Sequence, residues 1–239
     1  MPIHKLSIII PVFNEDSTVY EVLKAVSSVE LFAGIEKEII VVNDCSTDGS
    51  EREILSFISN FPTEKIKYIR HEINHGKGAS VSTAIAHVTG DYVIIQDADL
   101  ELQPEEINVL LQAAAEQNAD AVFGSRFLKK GRAAKQKKRH YAANIFLTRF
   151  SNLFTGLGLT DMGTCYKLLR TSVLKQITIA ERRFGMDPEL TAKLGKMKGL
   201  VIREAPVSYS YRTVNEGKKI GWKDGLRSVY CTVRYSLFN

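Results

Sequence analysis

Two aspartates one residue apart, Asp97 and Asp99, follow an apolar run in "YVIIQDADLEL". Carboxylates are costly to bury unless cations or hydrogen-bond donors meet them. Residues i and i+2 of a strand point to one face, so this spacing predicts two oxygen ligands offered to one cation. A hard divalent ion such as Mg2+ suits such a pair, because these ions often bind through one or two carboxylates completed by substrate phosphates. A lone D-x-D also opens many solvated loops; its place after a buried strand favours the metal.

Three other stretches carry polar groups of the right kind. "VVNDCSTDGS" places Asp44 just past an apolar run, where a carboxylate can accept from a ribose hydroxyl or a base N–H. Asp48 reads instead as an Asx turn or helix cap. "NHGKGAS" puts Lys77 and Gly78 at a helix start, within reach of an anion, or is simply a flexible helix start. It fits neither nucleotide fingerprint: Val81 stands where G-x-G-x-x-G needs glycine, and the G-x-x-x-x-G-K-[ST] spacing is missing. "RTVNEGKKIGWKDG" offers Arg212, Lys218 and Lys219 on a glycine-punctuated segment, able to fold over a diphosphate or else a solvated loop.

The elements that must position these groups are short apolar runs alternating with amphipathic stretches. That alternation predicts an α/β fold with a mostly parallel central sheet covered by helices on both faces. In such sheets ligands bind outside the carboxyl ends of the strands. The residues singled out are therefore Asn14 and Glu15, Asp44, His71 to Asn74, Asp97 to Asp99, and Ser125 and Arg126. Beyond Arg126 the character changes. "FLKKGRAAKQKKRH" is basic and aperiodic, predicting a mobile loop over 128–140. An apolar helix, a strand, a helix with Pro188 near its start, strands broken at Pro206 and a final amphipathic helix follow. One domain over 1–239 is expected, with a nucleotide-binding half (1–126) and an acceptor-binding half (127–239).

The chain has 239 residues, 44% hydrophobic and 25% charged, which predicts a packed core rather than disorder. The formal charge of +5 is compatible with nucleotides, phosphorylated lipids or nucleic acid as partners. Cys45, Cys165 and Cys231 are far apart, which argues against a disulfide framework or a zinc site. With no apolar run of spanning length and no signal-peptide pattern, the expectation is a cytoplasmic chain, peripheral to the membrane face at most. Lys129, Lys130, Arg132, Lys135, Lys137, Lys138 and Arg139 form either a solvated loop or a contact with an anionic membrane. The helix after them, with Phe146, Leu147, Phe150, Leu153 and Phe154, is a core helix or an interfacial one. Few aromatics interleave the basic residues and acids crowd the expected cleft, so nucleic acid is not an expected partner.

In order and spacing, "SIIIPVFNE", "VVNDCSTDGS", "GKGAS", "QDADLE", "GSRF", "LTDMGTCYKLL", "GMDPELTAKL" and "EGKKIGWKDG" resemble the family 2 glycosyltransferases, which have the GT-A fold. The resemblance runs from about residue 5 to 228 and is nearest to the polyprenyl-phosphate sugar synthases of the dolichol-phosphate mannose synthase-like branch. It implies metal-dependent, inverting transfer of a sugar from a UDP- or GDP-linked donor to a polyprenyl phosphate, or alternatively to a saccharide hydroxyl in cell-surface polysaccharide synthesis. Pro11, Asn14 and Glu15 would flank the base and ribose, and Asp44 would bind the base. Asp97 and Asp99 would hold Mg2+ or Mn2+ against the diphosphate, with Ala98 between them lining the donor site, and Arg212, Lys218 and Lys219 would close over it. Arg126 would lie near the donor sugar or acceptor phosphate, with Asp161 and Glu189 at acidic acceptor-side positions. A hydroxyl acceptor needs a carboxylate to take its proton, for which Asp161, Asp187 and Glu189 are candidates. Gly163 departs from the acidic residue common in relatives, and Asp187 stands where many have Glu. A haloacid dehalogenase-like phosphatase also carries D-x-D, but after its first strand, and here the strand is the fourth. A nucleotidyltransferase needs a glycine-rich N-terminal loop, which "PVFNED" lacks.

Overall fold

The structure is a computed structural model describing residues 2–128, 138–211 and 221–238. Its strands are β1 (Lys5–Val12), β2 (Glu36–Asn43), β3 (Ile66–Arg70), β4 (Tyr92–Ile95), β5 (Ala121–Ser125), β6 (Lys167–Arg170) and β7 (Ile202–Pro206). Its helices are α1 (Val19–Ser28), α2 (Ser50–Asn60), α3 (Lys77–Ile85), α4 (Ile107–Gln117), α5 (Lys138–Thr155), α6 (Thr171–Leu174), α7 (Met186–Lys196) and α8 (Trp222–Leu237). The strands form one sheet in the order β3-β2-β1-β4-β6-β5-β7. Every neighbouring pair is parallel except the two made by β6, which runs against both β4 and β5. The mostly parallel α/β sheet expected from the alternation is present.

Burial explains why the central strands are apolar throughout. All four residues of β4 are buried, as are Leu6, Ile8, Ile9, Ile10 and Val12 of β1. A strand covered on both faces cannot alternate, and each large side chain so buried contributes roughly 1.5–3 kcal/mol. The edge strand β3 has one neighbour and keeps Lys67 and Arg70 exposed, charges that discourage pairing with another chain. α1 buries Val19, Val22, Leu23 and Val26 at helical spacing. α3 packs on β1 and β2, and α4 on β5 and β7.

Near the amino ends of β1 and β2, Glu38 ties the sheet to the loop before β4. It accepts from Ser7 Oγ (2.5 Å), Thr89 N (2.6 Å) and Thr89 Oγ1 (2.6 Å), and pairs with Lys5 Nζ at 2.9 Å. Burial alone would raise its pKa; Lys5, Ser7 and Thr89 outweigh burial and lower it to about 2. A carboxylate depressed in the folded state contributes stability above its unfolded pKa and loses it as pH falls through the folded one. Glu38→Gln should therefore melt at a lower temperature than wild type at neutral pH. Its melting temperature should fall less steeply between about pH 4.5 and 2, followed by circular dichroism. Parallel pH curves would show that Glu38 does not carry this acid sensitivity.

Candidate active site

The strand order reverses at β1, with β2 on one side and β4 on the other. That is the switch point at which doubly wound sheets open a crevice. A cavity of about 440 Å³ lies there, within the range of small-molecule sites. Pro11 and Glu15 line it from the end of β1, Asp44 from β2, and Asn74 and Lys77 from the turn into α3. Asp97, Ala98, Asp99 and Glu101 line it after β4, and Arg126 after β5. Gly163, Thr164 and Cys165 enter just before β6, Arg183, Phe184 and Asp187 around the start of α7, and Tyr209 after β7.

β4 stops at Ile95, so Asp97 and Asp99 sit in the bend beyond it. The strand alternation expected to align them does not apply, and the bend brings both to the cavity instead. Asp97 Oδ1 lies 2.6 Å from Lys77 Nζ. Burial alone would raise the Asp97 pKa; the Lys77 ammonium prevails and holds it below the ordinary carboxylate value. Burial would likewise lower Lys77, and Asp97 holds it well above the usual lysine range. Asp99 is nearly buried and its Oδ1 accepts the Glu101 N–H at 3.1 Å. Cys165, 3.5 Å from Lys77 Nζ, is pushed well up by burial and then by Asp97, so it stays a neutral thiol.

Lys77 owes its place to two glycines. Gly76 takes φ +92°, open to glycine at little cost. A Cβ on Gly78 would stand 2.0 Å from the Glu181 carbonyl oxygen, and the Ala79 N–H donates to the Arg182 carbonyl at 3.2 Å. The amino end of α3 therefore packs on the 181–182 backbone. Gly78 lies there, outside the cavity lining, and the anion that Lys77 meets is Asp97.

Asp44 spends its carboxylate on the turn that follows β3. Its Oδ1 meets His71 Nδ1 at 2.7 Å and the His75 N–H at 3.0 Å, and its Oδ2 accepts the Gly76 N–H at 2.6 Å. His71 in turn reaches Thr83 through Nε2 at 3.0 Å. Asp44 thus shapes the 71–76 turn while edging the cavity. Asn14 takes φ +51°, a region asparagine tolerates. Its Oδ1 accepts the Thr47 N–H at 2.8 Å, joining the loops after β1 and β2. It lies beside the cavity lining rather than in it.

At the other end, Arg126 donates through Nε (2.6 Å) and Nη2 (2.7 Å) to the fully buried Asp161. Its guanidinium lies 5.0 Å from the Tyr209 ring centroid. Burial would lower the Arg126 pKa, and Asp161 more than offsets it. Asp161 therefore stands behind Arg126. Asp187 meets the buried Lys167 Nζ at 2.6 Å. Glu189, two residues on, is fully buried and points elsewhere, because positions i and i+2 of a helix do not share a face. It accepts the N–H groups of Ala180 (2.8 Å) and Glu181 (2.7 Å) and pairs with Lys193 at 2.7 Å. Of the three carboxylates weighed as acceptor-side bases, only Asp187 lines the cavity. A Cβ on Gly163 would lie 3.4 Å from Arg126 Nη2, so an acidic side chain there would face the guanidinium. Arg212, Lys218, Lys219 and the basic run 129–137 lie outside the described residues, as do the side chains of Lys138 and Arg139.

Sequence reasoning passed over Arg183, Phe184, Tyr209 and the buried Lys167. Tyr209 follows a strand's carboxyl end, so the rule that found Arg126 would have found it had it been carried to β7. Its hydroxyl donates to Glu101 Oε2 at 2.6 Å. Arg183 and Phe184 sit in an irregular segment with no periodic signal.

Among the described residues no group of three or more His, Cys, Asp or Glu is arranged to hold a metal. Asp97 and Asp99 bring two hard oxygen donors, which fits Mg2+ or Mn2+ completed by water and substrate phosphates, and does not fit an all-protein cage.

The family model described as glycosyl transferase family 2 matches residues 7–178. The chain belongs to that family. That membership goes against the phosphatase and nucleotidyltransferase readings. Among curated relatives of the family, the undecaprenyl-phosphate 4-deoxy-4-formamido-L-arabinose transferase of Edwardsiella ictaluri is 30% identical over 213 residues, covering 89% of this chain and 62% of the relative. The same-named enzyme of Enterobacter sp. is 28% identical over 216 residues, covering 90% and 63%. The chain thus spans less than two thirds of the length of these relatives. Glucosyl-3-phosphoglycerate synthase from Mycobacterium tuberculosis shares the GT-A fold, with TM-score 0.71 at 17% identity over 98% of this chain and 81% of that one. The same synthase with Mn2+, uridine diphosphate and phosphoglyceric acid superposes at TM-score 0.67 and 18% identity, over 98% and 78%.

Proposed function

We propose that this family 2 glycosyltransferase moves a sugar from a UDP- or GDP-linked donor to a polyprenyl phosphate. The observation that carries the reading is the composition of the cavity, with Asp44, Asp97 and Asp99 towards β1, β2 and β4, and Arg126 beyond β5. The two curated relatives are named for transfer to undecaprenyl phosphate, which supports the acceptor, and the uridine diphosphate and Mn2+ of the superposed synthase support the donor.

Asp97 and Asp99 would hold Mg2+ or Mn2+, which when bound neutralises charge on the diphosphate. An oxygen of the acceptor phosphate attacks the anomeric carbon from the face opposite the diphosphate. A carbon–oxygen bond forms to the acceptor, and the bond to the diphosphate breaks with its electron pair leaving on the nucleoside diphosphate. Arg126, fixed by Asp161, offers the remaining face of its guanidinium to the acceptor phosphate. An ionised phosphate brings no proton to remove. That suits a site where Asp187 already accepts from Lys167 at 2.6 Å and Glu101 from Tyr209 at 2.6 Å, rather than a free base. Positioning the two substrates supplies much of the remaining acceleration.

The test is a thermal-shift series with UDP-, GDP- and dTDP-sugars, with and without Mn2+, followed by transfer assays on polyprenyl phosphate and on saccharides. A donor at about a hundred times its Kd should stabilise by roughly 2.7 kcal/mol, a rise of about 5–10 °C, and only with the metal present. No shift with any donor, or transfer to saccharides alone, would overturn the reading.

A further inference from the structure

Helices α5 and α8 both carry large apolar side chains on the side turned away from the protein. α8 turns Cys231, Thr232 and Tyr235 to the protein and buries them, while Trp222 is 73% exposed and Leu226 62%. Trp222, Leu226 and Tyr230 recur every fourth residue and so form one stripe, with Leu237 a heptad beyond Tyr230. α5 does the same. Thr148 and Ser151 are buried at 3% and 1%, whereas Phe146 and Leu153 stand 59% and 80% exposed. A helix that borders water on its outer side normally shows the reverse, and contiguous exposed apolar surface marks an interaction site. The two helices pack against each other and against α7.

Charge indicates what meets this face. Arg149, Lys223, Arg227 and Arg234 lie on the exposed sides of α5 and α8, and the only carboxylate in either helix is Asp224. On α8 the cations fall at 100–140° from Trp222 on a helical wheel, at about 100° per residue, directly beside the apolar stripe. Apolar and aromatic side chains flanked by cations match the boundary of an anionic bilayer, where rings sit at headgroup level and basic side chains meet lipid phosphates. The face also connects to the cavity. Arg227 donates from Nε (2.9 Å) and Nη2 (2.7 Å) to Glu181, and Tyr235 Oη donates to Glu181 at 3.1 Å. Glu181 opens the segment whose Arg183 and Phe184 line the cavity.

We infer that the outer face of α5 and α8 docks on an anionic lipid bilayer and presents the Arg183–Phe184 side of the cavity to it. The inference rests on the proposed reading for the acceptor's presence in a membrane, and its test reads binding rather than transfer. The protein is sedimented with phosphatidylcholine vesicles, and with vesicles of phosphatidylcholine and phosphatidylglycerol, all free of polyprenyl phosphate. Wild type should bind the mixed vesicles, more weakly at high salt, and leave the neutral ones. The double variant L153S/L226S should lose about tenfold in partitioning, with its melting temperature and its donor-induced shift unchanged. A variant that sediments like wild type, or equal binding to neutral vesicles, would overturn the inference. So would a wild-type dimer that ignores vesicles and is dissolved by the same variant, which would give the face to a second copy. Failure to transfer sugar to a short-chain, water-soluble prenyl phosphate would count against the proposed function alone.

Discussion

Asp97→Asn should lower sugar transfer by about a thousandfold, roughly 4 kcal/mol of transition-state stabilisation, and should remove the metal dependence of donor binding. Asparagine keeps the size of the side chain and an oxygen that can accept from Lys77 Nζ, 2.6 Å from the native carboxylate. The fold should therefore survive with a loss of about 1–2 kcal/mol. Initial rates at saturating donor, together with a Mn2+ titration of donor-induced melting shifts, separate the two effects. Turnover near the wild-type value would remove Asp97 from any role in holding the ion. The variant also tests the Lys77 contact, because a large loss of stability with unchanged metal response would mark the pair as structural.

Arg126→Ala should have the largest effect on stability. Asp161 is fully buried, and Arg126 supplies two of its short hydrogen bonds, at 2.6 and 2.7 Å. Removing one partner of a buried ion pair leaves an uncompensated charge and costs about 3–5 kcal/mol. For a chain of this length that is a fall of roughly 10 °C in melting temperature. Arg126→Lys should recover only part of it, since an ammonium cannot reproduce the two-pronged guanidinium geometry. The double variant R126A/D161N should melt above R126A, because the orphaned charge is gone. If the double variant is the less stable of the two, the pair is not what holds this corner together.

The strands and helices were legible because apolar runs and periodic stretches report burial directly. The carboxyl-end rule found Glu15, Asp44, Asn74, Asp97, Asp99 and Arg126, all of which line the cavity. Asp97 and Asp99 were expected to share a face through strand alternation. They reach one cavity by a bend instead, since β4 ends two residues before Asp97. Asp187 and Glu189 were weighed together although their segment reads as a helix, where a spacing of two sends side chains to different sides. Lys167 could not be found by pattern. A lysine inside "CYKLL" looks misplaced until Asp187 is seen opposite it, at 2.6 Å. Contacts between residues far apart in the chain, such as Tyr209 with Glu101, leave no local trace in composition or period.

The reversed strand β6 has a topological consequence. Because β5 and β6 are antiparallel neighbours, with Ala121 opposite Leu169 and Phe123 opposite Lys167, the chain leaves the sheet and returns to it at the same end of the strands. Residues 126–166, α5 included, are therefore a detour that begins at Arg126 and ends at Gly163 to Cys165, all at the cavity. Such a detour can lengthen, shorten or change its chemistry without shifting the register of any strand, and both of its ends remain anchored at the site. The sheet thus supplies a constant frame, while this excursion can vary what the cavity meets at both of its ends.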